Sequence, residues 1–146
     1  FEQAAPAVPM APAVPRAAAQ ASVALPEHLD PSSAISRERS VYFTFDNSTI
    51  TPEQMPLVER HAKYLSVNAT LKVRIEGNTD TRGGAEYNLA LGQRRAESVA
   101  RALSLLGAGS NQMEVVSYGE ERPKMAGNNE SAWAQNRRAD LLYPRR

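Results

Sequence analysis

Cysteine is missing from all 146 positions. Disulfides, thiolate catalysis and cysteine metal sites are therefore excluded, and the redox compartment is left open. Histidine is scarce as well, with only His28 and His61. A metal site needs three or four convergent ligands, and neither histidine has the company for one. Long apolar runs are absent: nothing approaches the roughly 18 residues that read as a membrane-spanning helix. No secretory leader pattern is visible, so a leader in the precursor would lie upstream of Phe1. An excess of either charge is also lacking, with 17 basic and 16 acidic residues giving a net charge of +1. Nucleic acid and anionic membrane want a concentrated basic patch, so neither is expected as the main partner.

What remains is distributed unevenly. Residues 1–31 hold six of the ten prolines and none of the eight glycines. Proline and alanine with few large apolar side chains cannot build a core, and proline favours extended segments. Residues 1–36 are read as a semi-extended linker, with a disordered end as the bland alternative. Residues 37–146 form the folded domain. If extended throughout, the linker reaches on the order of 100 Å.

From residue 40 the patterns sharpen. SVYFTFD predicts a strand with Val41, Phe43 and Phe45 on one face. TPEQ predicts a helix start, with Thr51 as N-cap, Pro52 in the first turn and Gln54 completing a capping box. Pro56 pushes the regular helix towards Met55. The apolar stripe is Met55, Val58, Ala62 and Leu65, with His61 away from it, and the helix ends near Asn68. LKVRIEG alternates Leu71, Val73 and Ile75 with polar residues, as a half-buried strand does. A long helix follows over about residues 85–106, then a strand in QMEVVSY, a short helix near Ser131–Gln135, and a last strand in RADLLY with Ala139, Leu141 and Tyr143 alternating. The predicted class is α+β: a βαβαβ(α)β order, with two main helices packed on one face of a four-stranded mixed sheet.

One residue stands out on that long helix. Gly92, Ala96, Val99, Leu103 and Leu106 step by four and three and define its buried face. Arg95 lies one turn before Val99, about 40° from it, on the same face. A guanidinium keeps its charge, so an inward one needs an anion or solvent. Asp80 follows the LKVRIEG strand and precedes the Gly83-Gly84 turn into the helix, so both residues border one place. Either they pair directly and hold the loop, or they flank a cleft. In the second case, a ligand carrying an ammonium and a carboxylate on one carbon satisfies both.

The stretch GNTDTRGGAEYNLALGQRRAESV resembles the signature of the OmpA-like peptidoglycan-binding domain family, and VYFTFD, SYGEERP and AQNRRADLLY match that family in order and spacing. The resemblance covers about residues 40–143 and is nearest to the family's lipoprotein subgroup, in which a mobile linker follows a lipidated N-terminal cysteine. It implies an upstream lipid anchor to the outer membrane, on its periplasmic face in a Gram-negative cell. It also implies a TolB-like periplasmic partner in a Tol–Pal type system. The family binds the peptide stem of peptidoglycan through meso-diaminopimelate. By resemblance, Asp80 takes the ammonium and Arg95 the carboxylate. Phe45, Asp46, Asn78, Thr79, Arg82 and Leu89 wall the pocket or donate backbone N–H groups, while Asn88 and Arg138 support them. The family often has histidine where Asn78 stands and glutamate where Thr81 stands. No cofactor or metal is implied.

Other classes fare worse. An amidase or transpeptidase acting on the same stem would want a cysteine nucleophile or a metal cluster, and the sequence offers neither. The glycine-bracketed aromatic motif of RNA-recognition sheets is missing. The C-terminal domain of an OmpA-type porin, or another wall-binding module, stays open as an alternative. Trp133 is expected to anchor the short helix, and Tyr87 and Tyr118 to be core or rim.

Overall fold

In the computed structural model the description covers residues 25–144. The chain divides into two units, Phe1–Ser36 and Arg37–Arg146. The part of the expected linker before residue 25 lies outside the described residues. Residues 25–36 are not extended. Leu29 and Asp30 donate to the Pro26 carbonyl, Ser33 Oγ donates to the Glu27 carbonyl, and one helical turn follows, α1 (Ala34–Arg37). Asp30 accepts from both the backbone and hydroxyl of Ser32, a local side-chain turn that proline content alone does not forecast.

The second unit runs β1 (Ser40–Tyr42), α2 (Met55–Val67), β2 (Val73–Asn78), α3 (Ala85–Leu105), β3 (Met113–Gly119), α4 (Glu130–Asn136) and β4 (Arg138–Leu142). The strands form one mixed sheet in the order β1-β4-β2-β3. β4 pairs antiparallel with both β1 and β2, while β2 and β3 are parallel. The α+β architecture expected from the sequence is the one observed. α2 and α3 bury Val58, Ala62, Leu65, Ala96, Val99 and Leu103 against Val41, Val73, Ile75, Ala139 and Leu141 of the sheet. Among the described residues no helix is long and apolar enough to cross a membrane.

Several local expectations change. β1 stops at Tyr42, so Phe43 is buried but Phe45 is 58% exposed and belongs to the loop that follows. α2 begins at Met55 with no side-chain cap. Gln54 does not close a capping box: its Oε1 accepts from the Tyr42 backbone N–H instead, at 3.1 Å. Leu106 is the C-cap residue of α3 and is half exposed, outside the buried stripe. His61 is fully buried rather than set apart from the stripe. Its Nε2 faces the Glu38 carbonyl and its Nδ1 the Tyr143 hydroxyl, each at 2.6 Å. A carbonyl only accepts, so Nε2 carries the proton and Nδ1 accepts from Tyr143.

Helix α3 lies unusually near the sheet where β2 ends. A Cβ on Gly77 would sit 1.8 Å from the Gly92 carbonyl oxygen, and one on Gly92 would sit 2.4 Å from Ser117 Oγ. Both side chains must be absent for helix and strand to touch backbone to backbone. This contact is what brings the start of α3 over the end of β2, where Asp80 and Arg95 are.

Two outcomes follow for stability. Gly77→Ala drives a methyl into backbone that cannot yield, and lowers stability in urea unfolding by about 3 kcal/mol. His61 is held below its ordinary value of 6.5, chiefly by burial and with help from the Arg60 and Arg39 charges. The unfolded chain therefore binds more protons than the folded one below about pH 6.5, and stability falls as pH drops through that range. Urea midpoints at pH 7.5 and 5.5 will differ for the wild type and differ less for His61→Gln.

Candidate functional site

Arg95 is 1% exposed, on the inward face of α3 as its spacing requires. Its guanidinium does not pair with Asp80. Nε donates to the Asn47 carbonyl at 2.8 Å, Nη1 to the Asn78 carbonyl at 3.0 Å and Nη2 to the Thr44 carbonyl at 3.2 Å. These acceptors come from the β1–α2 loop and from the end of β2, so one side chain ties both to α3. Its plane also stands 5.3 Å from the Phe43 ring centroid. Burial lowers its pKa to about 10, with the negative charge of Asp80 the main offset. The group stays charged at neutral pH.

The loop it holds carries Phe45 and Asp46. Asp46 has φ of 56°, the left-handed region that aspartate tolerates better than most residues. Its carboxylate accepts from the Tyr87 hydroxyl on the first turn of α3, which raises the phenol's pKa. Strain at a non-glycine residue persists where the surroundings fix it, and here Arg95 and Tyr87 do so.

Asp80 is 4% exposed. Oδ1 accepts from the Arg82 backbone N–H at 3.0 Å, and Oδ2 from Arg82 Nη2 at 2.8 Å. Arg137 Nη1 stands 3.7 Å from Oδ2. Among the described residues these are the ion pairs of Asp80, so the direct Asp80–Arg95 pair is absent and the two border one space instead. The Arg82 guanidinium lies between the Phe45 and Trp133 rings, 4.0 Å from each centroid. Arg137 Nε donates to the Phe43 carbonyl at 2.9 Å and Nη2 to Glu130 at 2.9 Å, which holds the Glu130 carboxyl below its usual range. Asn88 Nδ2 reaches the Arg82 carbonyl at 3.0 Å and Glu120 at 2.7 Å, closing the turn between β2 and α3.

The enclosed space is a cavity of about 200 Å³ bordered by Phe45, Asp46, Thr79, Asp80, Arg82, Gly83, Tyr87, Asn88, Leu91 and Arg95. An acid on one wall and a cation at the base suit a zwitterionic tip of a few atoms. A larger groove of about 470 Å³ lies at the other end of β2, between Lys72, Arg74, Met113 and Leu142, away from these charges.

The residues singled out from sequence fall into three groups. Phe45, Asp46, Thr79, Asp80, Arg82, Asn88 and Arg95 border the cavity. Asn78 is 1% exposed behind it and contributes its carbonyl to Arg95, while Leu89 is half exposed and is not among the cavity's walls. Arg138 is turned away: its Nε donates to Asp140 and its Nη2 to the Arg122 carbonyl. The arginine beside Asp80 is its neighbour, Arg137. Strand parity carries the signal, because Arg137 is in step with the inward set Ala139 and Leu141, both fully buried, and Arg138 is not. Leu91 was also missed, although it precedes Arg95 by one helical turn on the same face.

The model of the OmpA family matches residues 42–137. The chain belongs to the OmpA family. Among its relatives, a "Peptidoglycan-associated lipoprotein" of Pseudomonas putida is 50% identical over 113 residues, covering 77% of this chain and 68% of the relative. One of the same name from Pasteurella multocida is 48% identical over 107 residues, covering 73% and 71%. Among solved structures, the peptidoglycan-associated lipoprotein from Burkholderia pseudomallei superposes with a TM-score of 0.77 at 52% identity, over 81% of this chain and 99% of that one. The C-terminal domain of Helicobacter pylori MotB is similar at a TM-score of 0.61 and 26% identity, over 70% and 83%. The OmpA fold is thus shared with proteins of distinct names, and the pocket residues carry the argument about function.

Arg95→Ala removes the donors of three carbonyls, that of the buried Asn78 among them, and releases the β1–α2 loop. Stability in urea unfolding drops by about 3 kcal/mol, and amide exchange of residues 44–47 rises more than that of β2.

Proposed function

We propose that this domain binds the peptide stem of peptidoglycan non-covalently, through the side chain of meso-diaminopimelate, and so tethers the outer membrane to the cell wall. The observation that carries this reading is the placement of Asp80 and Arg95 on one small cavity rather than on each other. Asp80 offers a carboxylate to the ligand's ammonium. The cationic side of the cavity faces the ligand's carboxylate, and the Phe45, Tyr87 and Leu91 surfaces take its methylene stem. Charged hydrogen bonds of this kind contribute on the order of 1.5–3 kcal/mol each. The names of the relatives support the ligand class and the lipoprotein setting. On this reading the segment before residue 37 spaces the domain from a lipid anchor in the outer membrane, and the domain works in the periplasm.

The domain acts here as a binding module and not as an enzyme. The relatives carry the name of a peptidoglycan-associated lipoprotein, and the cavity presents cations and carboxylates already bonded to one another. A TolB-like protein as a second partner is favoured by a different observation. Phe45 and Tyr87, 58% and 49% exposed, border the cavity, and Leu89, 50% exposed, follows Asn88 of its wall in the chain. Exposed aromatic and aliphatic side chains beside a charged centre suit a protein interface, and a partner seated there competes with the wall.

Co-sedimentation with purified peptidoglycan tests the reading. The wild type pellets with the wall, and Asp80→Asn, which keeps the shape and the bond to the Arg82 N–H, stays in solution while still unfolding cooperatively. Equal pelleting of the two proteins would refute it, and a new muropeptide detected by mass spectrometry would return the enzyme class.

A further inference from the structure

The end of the domain opposite the cavity has a different chemistry. β1 and β2 both run towards the cavity, so α2 and α3, which return the chain to the next strand, run away from it. Over its 21 residues α3 carries the chain about 30 Å. The two helices finish side by side: a Cβ on Gly107, just past α3, would stand 3.5 Å from the Ser66 Cβ on the last turn of α2. There apolar side chains meet water. Val67 is 74% exposed, Leu105 87% and Leu106 43%. Lys63 lies four residues before Val67 and Arg101 four before Leu105, so each helix sets a cation on the same face as its exposed aliphatic. Residues 60–75 and 98–113 contain no acid, although the chain has 16. Neither Lys63 nor Arg101 is in an ion pair among the described residues. The last carbonyls of a helix have no partner within it, yet here they are met. The Gln112 side chain, 4% exposed, reaches the carbonyls of Leu65, Asn68 and Leu71, and the Asn68 side chain donates to that of Tyr64. The N–H groups of Leu106, Gly107 and Ala108 donate to Ala102, Ser104 and Leu103.

We propose that this end is a membrane-contact surface, which meets the anionic headgroups and first methylenes of a phospholipid layer. Contact of this kind sets apolar side chains about 5–10 Å into the boundary between headgroups and acyl chains, and basic side chains add attraction to anionic lipid. The helices approach it end-on. Four residues of rise put Val67 and Leu105 about 6 Å beyond Lys63 and Arg101. The aliphatics therefore enter the boundary while the long basic side chains stay with the phosphates. Backbone that enters such a layer loses water as a partner, so the closed helix ends are a condition of the contact. A second copy of this chain suits the face less well, because two such ends bring like charges together with no acid to pair them. The surface stands without the wall-binding reading, which only gives it a direction: with the cavity on the wall, the opposite end faces the outer membrane. Each contact is weak alone and counts where the domain is held near the bilayer.

The test titrates the whole chain with vesicles of phosphatidylethanolamine and phosphatidylglycerol, with phosphatidylcholine vesicles as the neutral comparison, and reads bound protein by flotation. The wild type floats with the anionic vesicles and less with the neutral ones. Val67→Ser combined with Leu105→Ser lowers the affinity about tenfold. Lys63→Gln combined with Arg101→Gln lowers it on anionic vesicles by about fivefold for each charge, and not on neutral ones. All four side chains are exposed, so urea unfolding and wall co-sedimentation stay at wild-type values. Depth is read through single cysteines, since the chain has none of its own. An environment-sensitive dye on Leu105→Cys shifts its emission to the blue on anionic vesicles, and one on Glu86→Cys, in the first turn of α3 at the cavity end, does not. Flotation that both double variants retain in full overturns the proposal, as does a wild type that stays off the anionic vesicles. A wild-type dimer in light scattering that Leu105→Ser splits gives the face to a second copy and overturns it too. A wild type that binds vesicles but fails to pellet with the wall overturns the wall-binding reading and leaves this surface standing.

Discussion

A guanidinium that cannot give up its proton and cannot reach water must be surrounded by acceptors, and Arg95 meets that demand with backbone alone. The acceptors it gathers are the carbonyls of Thr44, Asn47 and Asn78, groups that a loop leaving an edge strand and a strand running out of its ladder would otherwise have to satisfy elsewhere. The need runs both ways. The loop needs donors, the arginine needs acceptors, and the price of burying a charge is met by fixing the two segments that wall the cavity. The left-handed Asp46 and the outward Phe45 are consequences of a loop held at both ends of its turn. The close approach of Gly77 and Gly92 is the geometric condition that lets the Arg95 side chain span from α3 to both.

Around that fixed base the charges of the cavity are already in balance. Asp80 is shared by Arg82 and Arg137, and Glu130 takes the rest of Arg137. A pocket lined by unpaired ions would pay their full desolvation with no return, so a site that must be stable while empty arranges internal pairs. The strength of binding is then a difference between two sets of ion pairs rather than the sum of the new ones. Weak single contacts follow from this. On the wall-binding reading that suits a tether, because many anchored copies facing a repeating lattice gain through effective concentration and each remains free to let go.

The fold was legible because its signals are periodic. Alternation in LKVRIEG and RADLLY and the four-and-three stepping of Gly92, Ala96, Val99 and Leu103 are direct images of strand and helix geometry. Arg95 was legible for the same reason: a charged residue on an apolar stripe is an exception to a pattern. What was not legible depends on contacts between segments far apart in sequence. Gln54 looks like half of a capping box, but the nearest unmet donor in three dimensions is the Tyr42 N–H. His61 looks like a surface residue until Tyr143 and the Glu38 carbonyl close over it. The choice between a direct Asp80–Arg95 pair and a flanked cleft stayed open in the sequence because charge complementarity says nothing of competing carbonyls, and backbone acceptors leave no trace in side-chain patterns. Arg137 was readable by strand parity and was lost to its identical neighbour.

The two arginines of the pocket show why residue type alone could not assign their roles. Arg95 is on a helix interior, where the side chain has no freedom and every donor is directed at a fixed carbonyl. Arg82 is in a turn, its guanidinium set against two ring faces and bonded to Asp80. Stacking of this kind is attractive at many in-plane offsets, whereas a hydrogen bond is lost within a fraction of an ångström. A guanidinium clamped by rings can therefore trade one carboxylate for another at little cost in its remaining contacts, and one clamped by carbonyls cannot. The arginine clamped by carbonyls fixes where the cavity is, and the one set against the rings walls it beside Asp80.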